Sequence, residues 1–147
     1  MQKVALAEPL VDTVELKAVV SKPSLAFSID LYTVKPEDLA FSAPFTVVIE
    51  RNDYVHAFIS WFDVEFTACH KPLKFSTGPH AKYTHWKQTV FYITDYLIVN
   101  KGEVIQGQIS SRPNQKNRRD LDVKVEYTFE AADTTRSKRE ILEYKMC

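Results

Sequence analysis

Residues 121–129 read LDVKVEYTF, and their alternation decides the fold class. Leu121, Val123, Val125, Tyr127 and Phe129 share one parity, while Asp122, Lys124, Glu126 and Thr128 hold the other. A period of two is the signature of a strand with one side in a core and the other in water. Working outward, PFTVVIER (44–51) and LAFSIDLYT (25–33) read as further strands, rich in β-branched and aromatic residues. YVHAFISWFDVEFT (54–67) is apolar at both parities and reads as one long strand covered on both faces. VFYITDYLIV and EVIQGQIS flank NKG, where Gly102 can take the positive φ that a three-residue hairpin needs.

One short helix is signalled, in TVKPEDLAF, where Pro36 suits the first helical position and Glu37 and Asp38 suit the positive end of the dipole. HKPLKFSTGPHAKY, SRPNQKNRRD and AADTTRSKRE read as polar loops. Strands punctuated every ten residues or so predict a mainly β protein, a β-barrel or sandwich-like barrel, with one or two short helices. Its 147 residues suit one domain, spanning 1–147.

Composition excludes more than it identifies. Lys and Arg balance Asp and Glu at 19 each, so no global field favours nucleic acid or an anionic membrane. No apolar run approaches the roughly 20 residues of a membrane span. Cys69 and Cys147 provide no disulfide framework, and the Cys69–His70 pair has no partner at zinc-ligand spacing. Free thiols fit a reducing compartment, and the expectation is nucleus and cytoplasm.

With three glycines the chain has no phosphate-cradling loop, and no G-x-S-x-G elbow supports a nucleophilic triad. Asp63 and Glu65 share a strand face and read as a polar patch. The basic loop Asn114–Asp120 and the cluster Arg136, Lys138, Arg139 lack a stacking platform and read as solvated turns, while His56 and His80 read as structural or exposed. YTHWKQTVFY (83–92) is different, because it places His85 and Trp86 at the entrance to a strand, after a long polar loop. On residue type alone Trp86 suits a core or a pocket wall, and His85 a surface or a site. A tryptophan face attracts guanidinium, and an imidazole can bond a carboxylate.

The motif closely resembles the THW loop and following strand of the protein arginine N-methyltransferases. The resemblance runs on through EPLVDTV, DLYTVKPEDLAF, RNDYVHAFISWFDVEFT, FSTGPHAKYTHWKQTVFY and PNQKNRRDLDVKVEYTF, in order and with compatible spacing. The type I enzymes, which make asymmetric dimethylarginine, are the nearest likeness. The resemblance implies a two-part enzyme. An N-terminal Rossmann-like domain would hold S-adenosylmethionine and two substrate-gripping glutamates, a C-terminal barrel would close the site, and a helical arm would make a homodimer. This chain resembles the barrel alone, so no cofactor is expected within it.

By the same resemblance His85 supports catalysis by pairing with an aspartate of the other domain. Trp86 walls the arginine pocket, and Thr84 and Tyr83 complete the substrate-binding loop. Arginine/glycine-rich proteins are the expected substrates, and the fragment alone is expected to be inactive. Lys82 departs from the pattern, where a smaller or proline-like residue is expected. A stand-alone protein-interaction barrel is the alternative reading, and a carrier using the barrel interior is a third.

Overall fold

The computed structural model describes residues 4–28, 35, 40–66, 73–81, 87–117 and 119–146. Among the described residues ten strands follow in chain order: β1 (Val4–Ala7), β2 (Leu10–Asp12), β3 (Phe41–Val48), β4 (Asp53–Ser60), β5 (Asp63–Phe66), β6 (Leu73–Ser76), β7 (Gln88–Val99), β8 (Val104–Pro113), β9 (Leu121–Phe129) and β10 (Lys138–Met146). Single 3-10 turns occupy Leu16–Ala18 and Thr134–Arg136. The helix expected around Pro36 lies outside the described residues.

The strands form a five-stranded sheet ordered β1-β10-β9-β8-β3, a three-stranded sheet β2-β7-β4, and the hairpin β5-β6. The protein is mainly β, as the alternation predicts, but among the described residues the ladder does not run round into a closed ring. The core lies between the two larger sheets. Val123, Val125, Tyr127 and Phe129 of β9 meet Val55 of β4 and Phe91, Ile93, Leu97 and Val99 of β7, with Leu142 and Tyr144 of β10 completing the cluster. The inward parity read from 121–129 is therefore the observed one.

Gly107 shows how tight the middle of the larger sheet is. A Cβ there would lie 2.2 Å from the Glu126 carbonyl oxygen and 2.7 Å from Cζ of Phe45. The Phe45 ring occupies that space and packs edge-on against Phe58, which packs in turn on Tyr127, with centroids 5.4 and 5.3 Å apart. Gly102 takes the expected positive φ, +89, with no atom near its missing Cβ, but the hairpin expected there is not formed: β7 and β8 lie in different sheets, and the turn carries the chain from one to the other.

Where the two sheets adjoin, side chains replace the backbone ladder. On one side of β7, β2 pairs only with Gln88–Val90. Beyond that, the tail of the chain supplies the partners. The Tyr144 hydroxyl donates to the Tyr92 carbonyl at 2.6 Å, the Glu140 carboxylate accepts from the Thr94 amide at 3.5 Å, and Arg136 donates to the Ile98 carbonyl at 2.8 Å. Residues 136, 140 and 144 thus fasten positions 98, 94 and 92 along an open strand edge, where unpaired groups would otherwise stand free.

Two of these fasteners are themselves held. Glu103 accepts both guanidinium nitrogens of Arg136, at 2.9 and 3.0 Å, together with the amides of Asn100 and Ala132. Those bonds, the arginine's first, draw its carboxyl down to about 2 from 4.5. Glu140 is 5% exposed and accepts from the hydroxyls of Tyr127 and Thr94, with the Lys138 ammonium 3.7 Å away. Burial first, and then the hydrogen bond to Glu140 for Tyr127 and the Glu140 charge for Tyr144, push both phenols well above their usual range.

Several sequence expectations need correction. YVHAFISWFDVEFT is two strands, β4 and β5, interrupted at Trp61 and Phe62, rather than one. Leu25–Ser28 is irregular, with Leu25 exposed and Phe27 stacked on Phe41 at 4.2 Å; the rest of that segment lies outside the described residues. Leu73–Ser76 is strand, not loop, and the tail from Lys138 is a full strand.

Candidate functional site

Tyr83, Thr84, His85 and Trp86 lie outside the described residues, as do Lys82, Cys69, His70 and Cys147. Both ends of the 82–86 segment are described, and they form a built frame. On the entry side, Thr77 is 1% exposed and faces Phe62 as a strand partner would. Its amide donates to the Phe62 carbonyl at 2.9 Å; its hydroxyl donates to that oxygen at 2.9 Å and accepts from the Phe62 amide at 3.0 Å. The β5–β6 hairpin is extended by one residue in this way, and the interruption at Trp61–Phe62 follows from it.

The turn after Thr77 is compact. Gly78 donates to the Ser76 hydroxyl at 3.1 Å and accepts from the Ala81 amide at 3.2 Å. The Trp61 and His80 rings meet at 5.9 Å, edge to face, close over Gly78. A Cβ on Gly78 would sit 2.6 Å from His80 Cε1 and 2.7 Å from Trp61 Nε1. That contact gives His80 a structural role, in line with its reading from sequence.

On the exit side, Lys87 has φ +55, in the left-handed region that non-glycine residues seldom occupy. Gln88 follows, 5% exposed. Its carboxamide donates to the Thr77 carbonyl at 2.6 Å and accepts from the Val14 amide at 2.7 Å. One side chain therefore joins the start of β7, the turn at Thr77 and the strap that follows β2. Sequence reading passed over Gln88. The available signal was a polar residue in a strand's buried slot, next to a loop. A cleft of about 160 Å³ opens between these segments, lined by Thr13, Val14, Glu15, Gly78, Pro79, Ala81, Lys87 and Gln88.

The other candidates are placed elsewhere. Asp63 and Glu65 lie on β5 and are exposed. Asn114 organises its own loop, its carboxamide oxygen accepting from the Lys116 and Asn117 amides at 2.9 and 3.1 Å. The basic cluster is committed within the fold: Arg136 to Glu103, Lys138 to Glu140 and Arg139 to Glu126. His56 is exposed on β4, 6.1 Å from the Tyr96 ring.

The family model for the arginine methyltransferase oligomerization subdomain matches residues 1–133. The chain belongs to the protein arginine methyltransferase family. Protein arginine N-methyltransferase 1 of Schizosaccharomyces pombe is 54% identical over 141 residues, which are 95% of this chain and 42% of the relative. Protein arginine N-methyltransferase 8-B of Danio rerio is 54% identical over 129 residues, 88% of this chain and 31% of the relative. The chain thus spans less than half the length of these methyltransferases.

Among solved structures, the PRMT1 enzyme–prozyme heterotetrameric complex with AdoHcy from Trypanosoma brucei matches with a TM-score of 0.90 and 35% identity, over 95% of this chain and 44% of that one. Arabidopsis thaliana protein arginine methyltransferase 10, at 16% identity and a TM-score of 0.86, shares the fold; the match covers 94% of this chain and 42% of that one. The described cleft beside the 82–86 segment is too small for S-adenosylmethionine. The cleft of about 160 Å³ falls below the roughly 300 Å³ at which pockets for ligands of that size begin. Gly78 and Gly107 are filled against by side chains and backbone rather than open to a ligand.

Proposed function

We propose that this chain is the substrate-binding barrel of a type I protein arginine N-methyltransferase, an enzyme that moves methyl from S-adenosylmethionine to the guanidinium of arginine in proteins. The observation that carries the reading is the 54% identity over 95% of the chain to the fission yeast methyltransferase, which embraces the YTHWKQTVFY motif. On this reading His85 supports catalysis through a carboxylate of the cofactor-binding domain, Trp86 walls the arginine pocket, and Thr84 and Tyr83 complete the loop. An arginine side chain stays protonated below a pH of about 12, so its nitrogen needs facing carboxylates to become a nucleophile. Glu15 is the carboxylate lining the described cleft, paired with Lys17 at 3.1 Å, and on this reading the facing carboxylates belong to a separate Rossmann-like domain. The partners are that domain, arginine/glycine-rich protein substrates and a second copy in a homodimer, within nucleus and cytoplasm.

Radiolabelled S-adenosylmethionine with an arginine–glycine-rich peptide tests the reading. The 147 residues alone are expected to transfer no label, and turnover above a protein-free control overturns the division of labour. In a longer protein that carries this barrel together with the cofactor domain, His85→Ala is expected to lower kcat by about 100-fold or more. Unchanged kcat in that variant overturns the role of His85.

A further inference from the structure

We propose that the outer face of the β2-β7-β4 sheet, where Tyr54, His56, Tyr92, Tyr96 and Ile98 stand in solvent, docks against the same face of a second copy of this chain. This contact is separate from the helical arm that the resemblance assigns to the homodimer. None of its residues belongs to the 82–86 segment.

Along β7, Ile93, Leu97 and Val99 turn into the core, while Tyr92, Tyr96 and Ile98 of the other parity are 44–52% exposed. Tyr54 of β4, 55% exposed, is the ladder partner of Ile98. Its ring meets that of Tyr96 edge to face, with centroids 5.4 Å apart, and His56 lies 6.1 Å from the same Tyr96 ring. The larger sheet shows what a solvated face of this protein looks like: its exposed positions on β8 and β9 include Gln106, Gln108 and Lys124. The smaller sheet puts aromatic rings where the larger one puts amides and charge. Tyrosine is among the residues that interfaces gather and charged side chains are those that interface centres lose.

Charge and area select the occupant. The margin is already neutralised within the fold, Arg51 pairing with Asp53 at 3.0 Å and Lys138 with Glu140 at 3.7 Å. Asp95, of the inward parity, accepts from the Tyr96 amide at 2.9 Å. Such a face does not steer a strongly basic or acidic partner, and it does not repel its own copy. An aromatic side chain carries roughly 200 Å², so three half-exposed tyrosines leave about 300 Å² open, and Ile98 and His56 bring the patch to about 450 Å². Two copies bury about 900 Å² in these side chains, and the rim carries the total past the roughly 1,000 Å² at which specific pairing begins. The pair is therefore a weak, reversible one. A two-fold axis through the patch sets each Tyr54–Tyr96 pair against the other, so one surface serves both copies. The cofactor-binding domain of a longer protein is the other claimant. Tyr96 and Ile98 lie eight and ten residues beyond Gln88 on β7, up to about 26 and 33 Å from the strand end that the functional reading turns toward that domain. The choice between the two claimants rests on that reading; the patch itself does not.

Sedimentation equilibrium of the 147-residue chain, from about 1 to about 300 μM, tests the inference. Dimerisation with a dissociation constant of about 10 to about 100 μM is expected, and a chain that stays monomeric across the range overturns the inference. Tyr96→Lys and Tyr96→Glu, each keeping the far-UV spectrum of the parent, are expected to weaken self-association by about tenfold or more, and to pair again when mixed in equal amounts. Unchanged self-association in both variants, or a mixture no tighter than either alone, overturns it. If neither variant folds, acetylation of the unaltered chain with N-acetylimidazole, read by mass spectrometry, decides. Tyr54, Tyr92 and Tyr96 are expected to react about threefold or more slowly at the highest concentration than at the lowest, and equal rates overturn the inference. The same labelling of a longer protein with its cofactor domain separates the claimants. Protection that grows with concentration supports the second copy; protection that is constant down to the lowest concentration gives the face to the cofactor domain and overturns the inference. Failure of the functional reading would show separately, as methyl transfer that survives His85→Ala.

Discussion

Tyr127 and Glu140 form a buried pair whose two single variants and double variant should differ in a diagnostic way. Tyr127 is 0% exposed and its hydroxyl donates to Glu140 at 2.8 Å; Glu140 also accepts from Thr94 and faces Lys138. Glu140→Met keeps the length and removes the acceptor. The Tyr127 hydroxyl is then buried with no partner, which costs about 2 kcal/mol, whereas exposed Thr94 and half-buried Lys138 turn to water. Tyr127→Phe removes one donor but leaves Glu140 its other two, so the loss is about 1 kcal/mol.

Removing both leaves an apolar contact with nothing orphaned. The double variant should therefore be more stable than Glu140→Met alone, and lie within about 1 kcal/mol of the parent. Equilibrium urea unfolding followed by far-UV circular dichroism, with unchanged slopes, measures all four proteins. Losses that simply add, leaving the double variant the least stable, would refute the reasoning.

Three further outcomes are expected. The folded carboxyl of Glu103 lies near 2, below its ordinary 4.5, so its contribution is whole above 4.5 and disappears as pH falls toward 2; Arg136→Met should move the midpoint of acid unfolding up toward 4.5. Tyr127 and Tyr144 are held above the ordinary phenol value of 10, so stability from them is whole below pH 10 and lost as pH rises; absorbance at the phenolate band should show them ionising only as the sheets unfold. Gly107→Ala forces a Cβ to within 2.2 Å of a backbone oxygen that cannot rotate away, and should destabilise by about 3 kcal/mol or more in the same urea assay.

The legible parts of the fold were those where parity and burial agree. LDVKVEYTF shows its inward face because every inward residue is apolar. KREILEYKM hid a strand of equal length, because Glu140 takes an inward position and Ile141 an outward one; a carboxylate buried among hydroxyls breaks the pattern that a reader counts. The break between β4 and β5 carries no glycine or proline. It comes from Thr77, eleven residues beyond the end of β5, pairing with Phe62, a tertiary effect that no local rule contains.

LAFS has the apolar character of a strand, yet Leu25 is 82% exposed, and Phe27 spends its ring on Phe41 rather than on a ladder. At the candidate site the family motif pointed to His85 and Trp86, but Gln88 was hidden in plain view. A polar residue in a strand looks like surface until its two distant partners are known.

The side-chain fastening of the β7 edge has a consequence for how the chain folds. Ladders between β8 and β9, or β9 and β10, join near neighbours in sequence and can form early. The clasps from Arg136, Glu140 and Tyr144 to Ile98, Thr94 and Tyr92 close loops of 38, 46 and 52 residues, and can engage only once β10 has been laid down. Until then β7 carries a bare, apolar strand edge that a second nascent chain can extend. The seam is thus the last part of the molecule to become safe from aggregation, and three residues in the final dozen positions decide when that happens.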